Sequence, residues 1–473
     1  MTSSPPSCGT RTQGRRRGTP VGSPAAPRAG VGEVVPVSGP MPWLVRRLFP
    51  LLATAGLIAI GMAATTWWGP HLVGKSAWSL PDDLWGTLVA ARRLVHLDLS
   101  GLYTQPTGLV TFPGAAVILV PLVAIIDAAG LSVRVQGAQI PHPGAWLLAG
   151  PYEIVLSAVA LFAADAIAER LGLARSKRAL LAAAGAVALW NVSVEWGHPE
   201  DAVAVGLFLF GILALSDSRA ERSGWLVGAA IAVQPLVLLA LPIAGAVIEP
   251  RRLARFLTGA AAPGVFALGA AALANWRATL RAVTSQPNWP AVNHPTPWTS
   301  FAPHTSNGGV AAGPARVLAI LVACGCAFVV GRRWRAAGQT AGWSSETLQK
   351  LLWWVAVALA LRSLFEPVMV AYYLWPALAV ALIAASRSWP RLAATSLAAT
   401  TLTFVSQVPW RGSWTWWPLM VAGLVLTLFF ARVPPSRPGR EGSPRPTPSG
   451  AVPGAATWRA ARWPAAPERA ESD

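Results

Sequence analysis

Long apolar runs recur along the chain from Leu44 to Phe430, and short polar segments separate them. Many of these runs are close to the roughly 20 residues that a helix needs to cross a bilayer. They predict an all-α fold: a polytopic transmembrane bundle of about 11–13 membrane segments, with a large first outer loop that contains interfacial helices. The candidate segments are 44–68, 110–130, 146–168, 179–196, 201–215, 224–248, 257–275, 315–330, 351–365, 371–385, 391–408 and 417–431.

The two ends of the chain differ from this apolar core. Residues 1–40 and 433–473 are rich in Pro, Gly, Ser and Arg and poor in large apolar side chains, which predicts disordered tails. Residues 41–432 are predicted to form the transmembrane domain. Met41 directly precedes the first apolar run, so a start of translation at Met41 is a hypothesis under which the preceding segment is not translated.

Composition agrees with a membrane protein. Hydrophobic residues make up 53% of the chain and charged residues only 12%, against about 25% charged in a soluble domain. The net charge of +18 is compatible with a nucleic-acid partner, but the arginines lie in the tails and between apolar runs. The positive-inside rule predicts that distribution, so we expect the lipid bilayer as partner and no nucleic acid.

The basic loops also orient the predicted bundle. They are 170–178, 219–222, 251–255, 332–335, 387–391 and the tail from Arg432. If all of them are cytoplasmic, segments 110–130 and 224–248 must each enter and leave the membrane on one face. Prolines support such breaks, at Pro113 and Pro121 in the first and at Gln234-Pro235 in the second. The prediction is a multi-pass plasma-membrane protein with both termini in the cytoplasm.

This orientation collects ionisable residues on the outer face. Asp82 and Asp83 follow a proline, so they either stabilise the start of a helix through its macrodipole or act as a general base on an acceptor hydroxyl. His198, Glu200 and Asp201 lie in a short turn around another proline and allow the same two interpretations. A divalent cation held by His198 and these acids is a further alternative.

Outer-face arginines run against the charge bias of the bundle. Arg92, Arg93 and Arg362 are suited to bidentate recognition of phosphate, or they extend to lipid headgroups without a specific ligand.

Several short motifs follow one another along the chain. They are Asp83-Leu-Trp, Leu102-Tyr103, Thr111-Phe-Pro-Gly-Ala-Ala116, Trp196-Gly-His198, the Gly-rich run from Gly224 to Gln234-Pro235, and Tyr372-Tyr373-Leu-Trp-Pro376. In this order they resemble GT-C type membrane glycosyltransferases, particularly the polyprenyl-phosphate-mannose-dependent mannosyltransferases of actinobacteria. Two positions depart from the family pattern: Gln234 stands where lysine is usual, and Gly114 replaces a second proline.

The resemblance implies an inverting transfer of a hexose, expected to be mannose, from a polyprenyl-phosphate donor to an envelope glycolipid or glycan. Asp83 would be the base, with Asp82 as the fallback, and no cofactor is certain. The implied substrate-binding residues are His198, Glu200, Asp201, Arg92, Arg93, Gln234, Arg362 and Tyr372. A membrane transporter or flippase, and a non-catalytic protein of cell-envelope assembly, stay open as alternatives, the latter because of Gln234.

Overall fold

A computed structural model describes residues 43–63, 82–104, 109–131, 146–284, 288–290, 293–305, 308–336, 338, 343–408 and 414–434. The two predicted tails, except Val433 and Pro434, and the start-site hypothesis at Met41 lie outside these residues. The chain divides into a first unit, residues 1–46, and a second unit that begins at Arg47. Of the first unit, the structure describes the short helix α1 (Trp43–Arg46).

The described part of the second unit is mostly helical with little strand, which confirms the predicted all-α class. Its helices are α2 (Leu48–Ala63), α3 (Asp82–Val95), α4 (Pro113–Val117), α5 (Val120–Ala128), α6 (Trp146–Arg170), α7 (Arg175–Trp190), α8 (Pro199–Ser216), α9 (Ala220–Val233), α10 (Leu241–Ala246), α11 (Pro250–Thr284), α12 (Gly313–Ala336), α13 (Ser345–Phe365), α14 (Trp375–Ala385), α15 (Trp389–Val405) and α16 (Trp416–Ala431). A π-helical turn (Asn191–Glu195) and 3-10 turns (Pro235–Leu239, Thr299–Phe301, Ala371–Leu374) extend or connect them. Strand β1 (His294–Pro295) pairs antiparallel with β2 (Val368–Met369).

Within the described residues, five helices are long and apolar enough to cross a membrane: α6, α8, α11, α12 and α13. The other apolar helical stretches, some of which join two neighbouring elements, have 10–17 residues, because turns or breaks shorten several of the predicted segments. The chain is a helical membrane protein, and the larger predicted number of crossings is reached only if these shorter helices also enter the bilayer.

One end of the bundle gathers basic loops, and we call it the arginine end (residues 165–178, 217–222, 250–255 and 387–391). Arg170 at the end of α6 pairs with Asp217 at the end of α8, with 3.6 Å between nitrogen and oxygen. Arg252 donates to the Ser218 carbonyl, and Lys177 donates to the carbonyl of Arg387. Helices α6 and α8 are therefore parallel, and α7 and α9 run back from the arginine end.

A buried ion cluster stabilises the arginine end. Asp165 of α6 is 3% exposed. Its Oδ2 lies 2.8 Å from Nη1 of Arg47 and 2.7 Å from Nη2 of Arg178. Arg47 also contacts Glu169 at 2.7 Å. Each charge in the cluster has an opposite charge within contact distance, which is the condition under which ion pairs are tolerated inside a protein.

Segment 224–248 is broken where the sequence predicts. Helix α9 ends at Val233, the backbone of the following Gln234 is extended (φ −150°, ψ 117°), and Pro235 opens a 3-10 turn before α10. Gly224 lies against Phe256 of α11, and Ala246 lies against Gly331 of α12, next to the arginines that end this helix. The segment thus leaves from and returns to the same end of the bundle, as the charge pattern required.

Segment 110–130 forms a second hydrophobic core with the first part of α6, which we call the first-loop core. Leu88 of α3, Leu122 and Ile126 of α5, Ala149 of α6 and Ala278 of α11 are buried in it. The hydroxyl of Tyr152 donates to the Ile118 carbonyl at 2.9 Å. The segment is broken after Val117 and packs beside the start of α6, at the end of the bundle opposite the arginine end.

Candidate functional site

The start of α8 carries a buried carboxylate, Asp201, which is 0% exposed. The side-chain amide of Gln234 donates to Asp201 Oδ1 at 2.7 Å, and Arg362 Nη1 donates to Asp201 Oδ2 at 3.4 Å. The hydroxyl of Thr111 donates to Gln234 Oε1 at 2.9 Å, which orients the amide with its nitrogen toward the carboxylate. Four distant parts of the chain therefore meet at Asp201.

His198 precedes α8 and adds an aromatic side to this site. Its Nδ1 lies 2.7 Å from Glu200 Oε1, and its ring stacks on Tyr372 with 4.1 Å between centroids. The ring of Trp196 lies 5.7 Å from that of Tyr372. A π-helical turn and Gly197, which has a positive φ of 61°, reverse the chain here, and π-helical turns are frequent at functional sites.

Arg362 is held inside the protein. Its guanidinium carbon lies 3.6 Å from the centroid of the Tyr373 ring, and its side chain is 16% exposed. The aromatic ring and Asp201 together stabilise the buried cation. Arg362 is paired with Asp201, in contrast to the alternative of an arginine extended toward lipid headgroups.

Residues 293–305 anchor on the end of α13 that carries Arg362. The indole nitrogen of Trp298 donates to the Leu364 carbonyl at 2.7 Å, and Thr296 donates to the Glu366 carbonyl at 2.8 Å. The His294 ring stacks on Trp416 with 3.9 Å between centroids, and burial lowers the pKa of His294. The segment therefore packs next to the site and ties α13 to α16.

Sequence reasoning missed one acid, Glu153 of α6. Its side chain is 2% exposed, and it interacts electrostatically with Glu200 and His198. Glu153 lies in an apolar run and belongs to none of the motifs, so it does not stand out in the sequence. The signal that could have identified it is the presence of an ionisable residue inside a predicted membrane segment, since such residues are costly there.

Two predicted arginines make their contacts within the first loop. Arg92 Nε lies 3.4 Å from Asp127 Oδ2, and half of the Arg92 side chain is exposed. Arg93 Nη1 donates to the hydroxyl of Thr104 at 2.6 Å. The nearby carboxyl of Asp98 accepts hydrogen bonds from Ser100 and Gly101, and these lower the pKa of Asp98. These contacts stabilise the first loop, and they are separate from the hydrogen bonds at Asp201.

Asp82 and Asp83 form the first turn of α3, where the positive end of the helix macrodipole lies. Their side chains lie outside what the structure describes. The helix that they begin packs against α4 and α5 in the first-loop core. Both interpretations of these aspartates therefore stay predictions.

Among the described residues, no group of three or more His, Cys, Asp or Glu side chains is arranged to hold a metal ion. What the site offers is a buried carboxylate with two donors, an aromatic pair and two further acids. These groups can bind a polar ligand and can accept or donate protons.

Comparison of the sequence with protein-family models and with curated proteins finds no match. Fold and site define the class as a helical membrane protein with a buried polar cluster at the end opposite the arginine end. Any assignment of activity rests on the chemistry of that cluster.

Proposed function

We propose that this protein is an integral membrane glycosyltransferase. It moves a hexose, mannose in the first instance, from a polyprenyl-phosphate donor to an envelope glycolipid or glycan on the extracytoplasmic face of the plasma membrane. The arginine end and both termini are cytoplasmic in this proposal, in accordance with the positive-inside rule.

One observation carries the proposal: four of the six motifs that resemble GT-C glycosyltransferases converge on one buried site. Thr111 of the first-loop motif contacts Gln234 of the Gly-rich motif, and Gln234 contacts Asp201. His198 of the second outer turn stacks on Tyr372 of the late aromatic motif. These positions are far apart in sequence, so their proximity in the fold supports a shared role.

The two departures from the family pattern are linked in space. A Cβ at position 114 would lie 2.3 Å from the carbonyl oxygen of Ala232, so a proline does not fit where Gly114 stands. This close approach brings α4 to the end of α9, directly before Gln234. Gln234 then acts as a neutral donor to Asp201, where a lysine would add a second cation beside Arg362.

In the proposed reaction, an acceptor hydroxyl attacks the anomeric carbon of the donor sugar as the bond from that carbon to the phosphate oxygen breaks. The phosphate leaves with the electron pair, and a carboxylate takes the proton of the acceptor hydroxyl. Asp83 is proposed as that base, with Asp82 as the fallback. Arginine side chains of the outer end stabilise the departing phosphate, which is a large contribution in such reactions.

The test is sugar transfer by the purified full-length protein in lipid nanodiscs. Radiolabelled polyprenyl-phosphate-mannose is the donor, and a total envelope-lipid extract supplies the acceptor. Asp83→Asn and Asp201→Asn are compared with Asp217→Asn, which changes an exposed aspartate at the arginine end. We expect label in a new product with the wild type and Asp217→Asn, and loss of product with Asp83→Asn.

Absence of product from the wild type with several polyprenyl-phosphate sugars would contradict the transferase proposal. Full activity of Asp83→Asn in folded protein would instead move the role of base to another carboxylate.

A transporter or flippase is the second candidate, favoured by the break in α9. Gln234 interrupts the helix beside buried Asp201, and discontinuous helices of this kind bind substrates and coupling ions in transporters. Uptake or lipid flipping in proteoliposomes tests this candidate, because a transferase moves no solute across the vesicle membrane.

A further inference from the structure

Helix α11 is broken before it ends. Asn275 has a non-helical backbone (φ −157°, ψ 84°), and its side-chain oxygen accepts from the Ala278 amide at 3.2 Å, as the cap of a new helical segment does. Residues 250–274 start at the arginine end and rise about 37 Å as a helix, more than the roughly 30 Å of a hydrocarbon core. Residues 276–284, which we call the terminal segment, therefore begin at the opposite membrane surface.

One face of the terminal segment is fixed on the protein. Ala278 and Thr279 are buried, and Ala278 belongs to the first-loop core. Ala282, one turn further on, packs against the same core. The side-chain nitrogen of Asn275 donates to the Ser100 carbonyl at 3.3 Å, so the break itself is tied to the first loop.

A second face is apolar and exposed. Successive residues of a helix are about 100° apart around its axis, which places Trp276, Leu280 and Val283 together, about 120° from the buried face. Their exposed fractions are 61%, 52% and 47%. Tryptophan is enriched where a membrane meets water, and Leu273, directly before the break, is 92% exposed. Lipid is the surrounding that suits this face on both sides of the break.

A third face is basic. Arg277 and Arg281 are both exposed, lie one turn apart, and are about 100° from the apolar face. Among the described residues, no carboxylate lies within ion-pair distance of either guanidinium. The Arg277 guanidinium carbon lies 5.7 Å from the centroid of the Trp276 ring, so this cation stands next to an interfacial indole. The positive-inside rule does not account for arginines at this end of the bundle, whereas recognition of phosphate does.

We propose that the terminal segment is an interfacial helix in which Arg277 and Arg281 bind the phosphate of an anionic phospholipid. Its apolar face, with Trp276 and Leu280, lies among the acyl chains of that lipid. The occupant is a phospholipid, and not free phosphate, because the basic face borders the apolar face, so a headgroup and its chains are met together. Anionic lipid adds electrostatic attraction to the burial of apolar surface.

The experiment is fluorescence quenching of the full-length protein in mixed vesicles of phosphatidylcholine and phosphatidylglycerol. One lipid or the other carries brominated acyl chains, which quench a fluorophore that they touch. The fluorophore is attached at Leu280→Cys, after replacement of the chain's own cysteines. A control label at Ile60→Cys occupies an exposed site near the end of α2, away from the arginine end.

Three double variants carry the label at Leu280→Cys. Arg277→Gln with Arg281→Gln removes both charges, and Arg277→Lys with Arg281→Lys keeps them. Arg251→Gln with Arg255→Gln is the matched control, because these two arginines are exposed at the same spacing near the start of the same helix.

We expect brominated phosphatidylglycerol to be preferred at Leu280→Cys by at least about fivefold, the effect of one arginine near an anionic surface. The preference should vanish in the glutamine pair at 277 and 281, and it should remain in the lysine pair and in the control pair. The label at Ile60→Cys should show no preference.

Equal quenching by the two lipids at Leu280→Cys overturns the proposal, whether or not the glutamine pair folds. Absence of quenching by either lipid would show that water or protein covers the apolar face, which also overturns it. A preference that survives in the glutamine pair, or that disappears in the control pair, would remove the assignment to Arg277 and Arg281. The measurement needs no sugar donor, so its outcome is independent of the sugar-transfer assay.

Discussion

Helices α9 and α11 approach each other through backbone atoms, and this contact gives a sharp prediction. A Cβ at Gly228 would lie 2.3 Å from the carbonyl oxygen of Gly259 and 2.7 Å from Cδ of Pro263. A Cβ at Gly224, one turn earlier, would lie 2.4 Å from the carbonyl oxygen of Phe256. Glycines spaced four residues apart permit such close helix contacts in membrane proteins. We therefore expect Gly228→Ala to separate the two helices.

The magnitude follows from the distances. Non-bonded carbon contacts are most favourable at about 3.5–4.0 Å, so the 2.3 Å approach falls short by roughly 1 Å. Backbone and proline-ring atoms cannot rotate away as a flexible side chain can. Overpacking of this kind costs about 1–3 kcal/mol, and alanine returns at most about 1 kcal/mol in helix propensity. The net expectation is a loss of about 1–2 kcal/mol.

The assay is equilibrium unfolding of the purified protein in mixed micelles with increasing SDS, followed by tryptophan fluorescence. Gly269→Ala on α11 is the matched control, since no heavy atom lies within 4 Å of its Cβ position. We expect a lower SDS midpoint for Gly228→Ala, and an equal or higher midpoint for Gly269→Ala. Coinciding midpoints for the two variants would refute the backbone contact.

Three further predictions concern the ion cluster, the anchored segment and the first loop. Asp165→Ala leaves two arginines without their shared carboxylate, and it should lower the free energy of unfolding by about 3–5 kcal/mol in the same assay. Asp217→Ala removes an exposed ion pair and should lower it by at most about 1 kcal/mol. Burial lowers the pKa of His294, so the His294 ring takes up a proton more readily in the unfolded chain than in the folded protein. The unfolding temperature should therefore fall as the pH drops below about 6.5, and the His294→Phe variant should lack this part of the pH dependence. Under the proposed function, Gly114→Ala should lower the rate of sugar transfer about tenfold, equivalent to about 1.4 kcal/mol, because the clash moves Thr111 away from Gln234. Gly86→Ala is the control: its Cβ would meet no atom within 4 Å, so the rate should stay unchanged.

The sequence was informative about features that depend on local chemistry. Apolar runs predict helices in lipid, and most of the described residues are helical. The break at Gln234-Pro235 was predicted because proline lacks an amide hydrogen and disfavours a helical residue before it. The arginine loops were predicted to share one face, and contacts such as Arg170 with Asp217 bring them together.

Membership of the site was only partly predictable. His198, Glu200, Asp201, Gln234, Arg362 and Tyr372 were all selected from the sequence, and the structure brings them together. Arg92 and Arg93 were selected by the same reasoning about outer-face cations, yet their contacts lie within the first loop. Charge and the predicted outer face do not distinguish Arg362 from Arg92 and Arg93. The difference lies in which helix each arginine packs against.

By itself, the sequence determined the class of protein, the end of the bundle at which polar residues collect, and the position of the break in α9. Tertiary structure alone decided that Arg362 pairs with Asp201 across 161 residues of chain, that Gly114 meets the backbone of α9, and that Glu153 of α6 is buried. The physical reason is that hydropathy and proline geometry act within a few residues. The partner of a buried charge is set instead by the packing of helices that are distant in sequence.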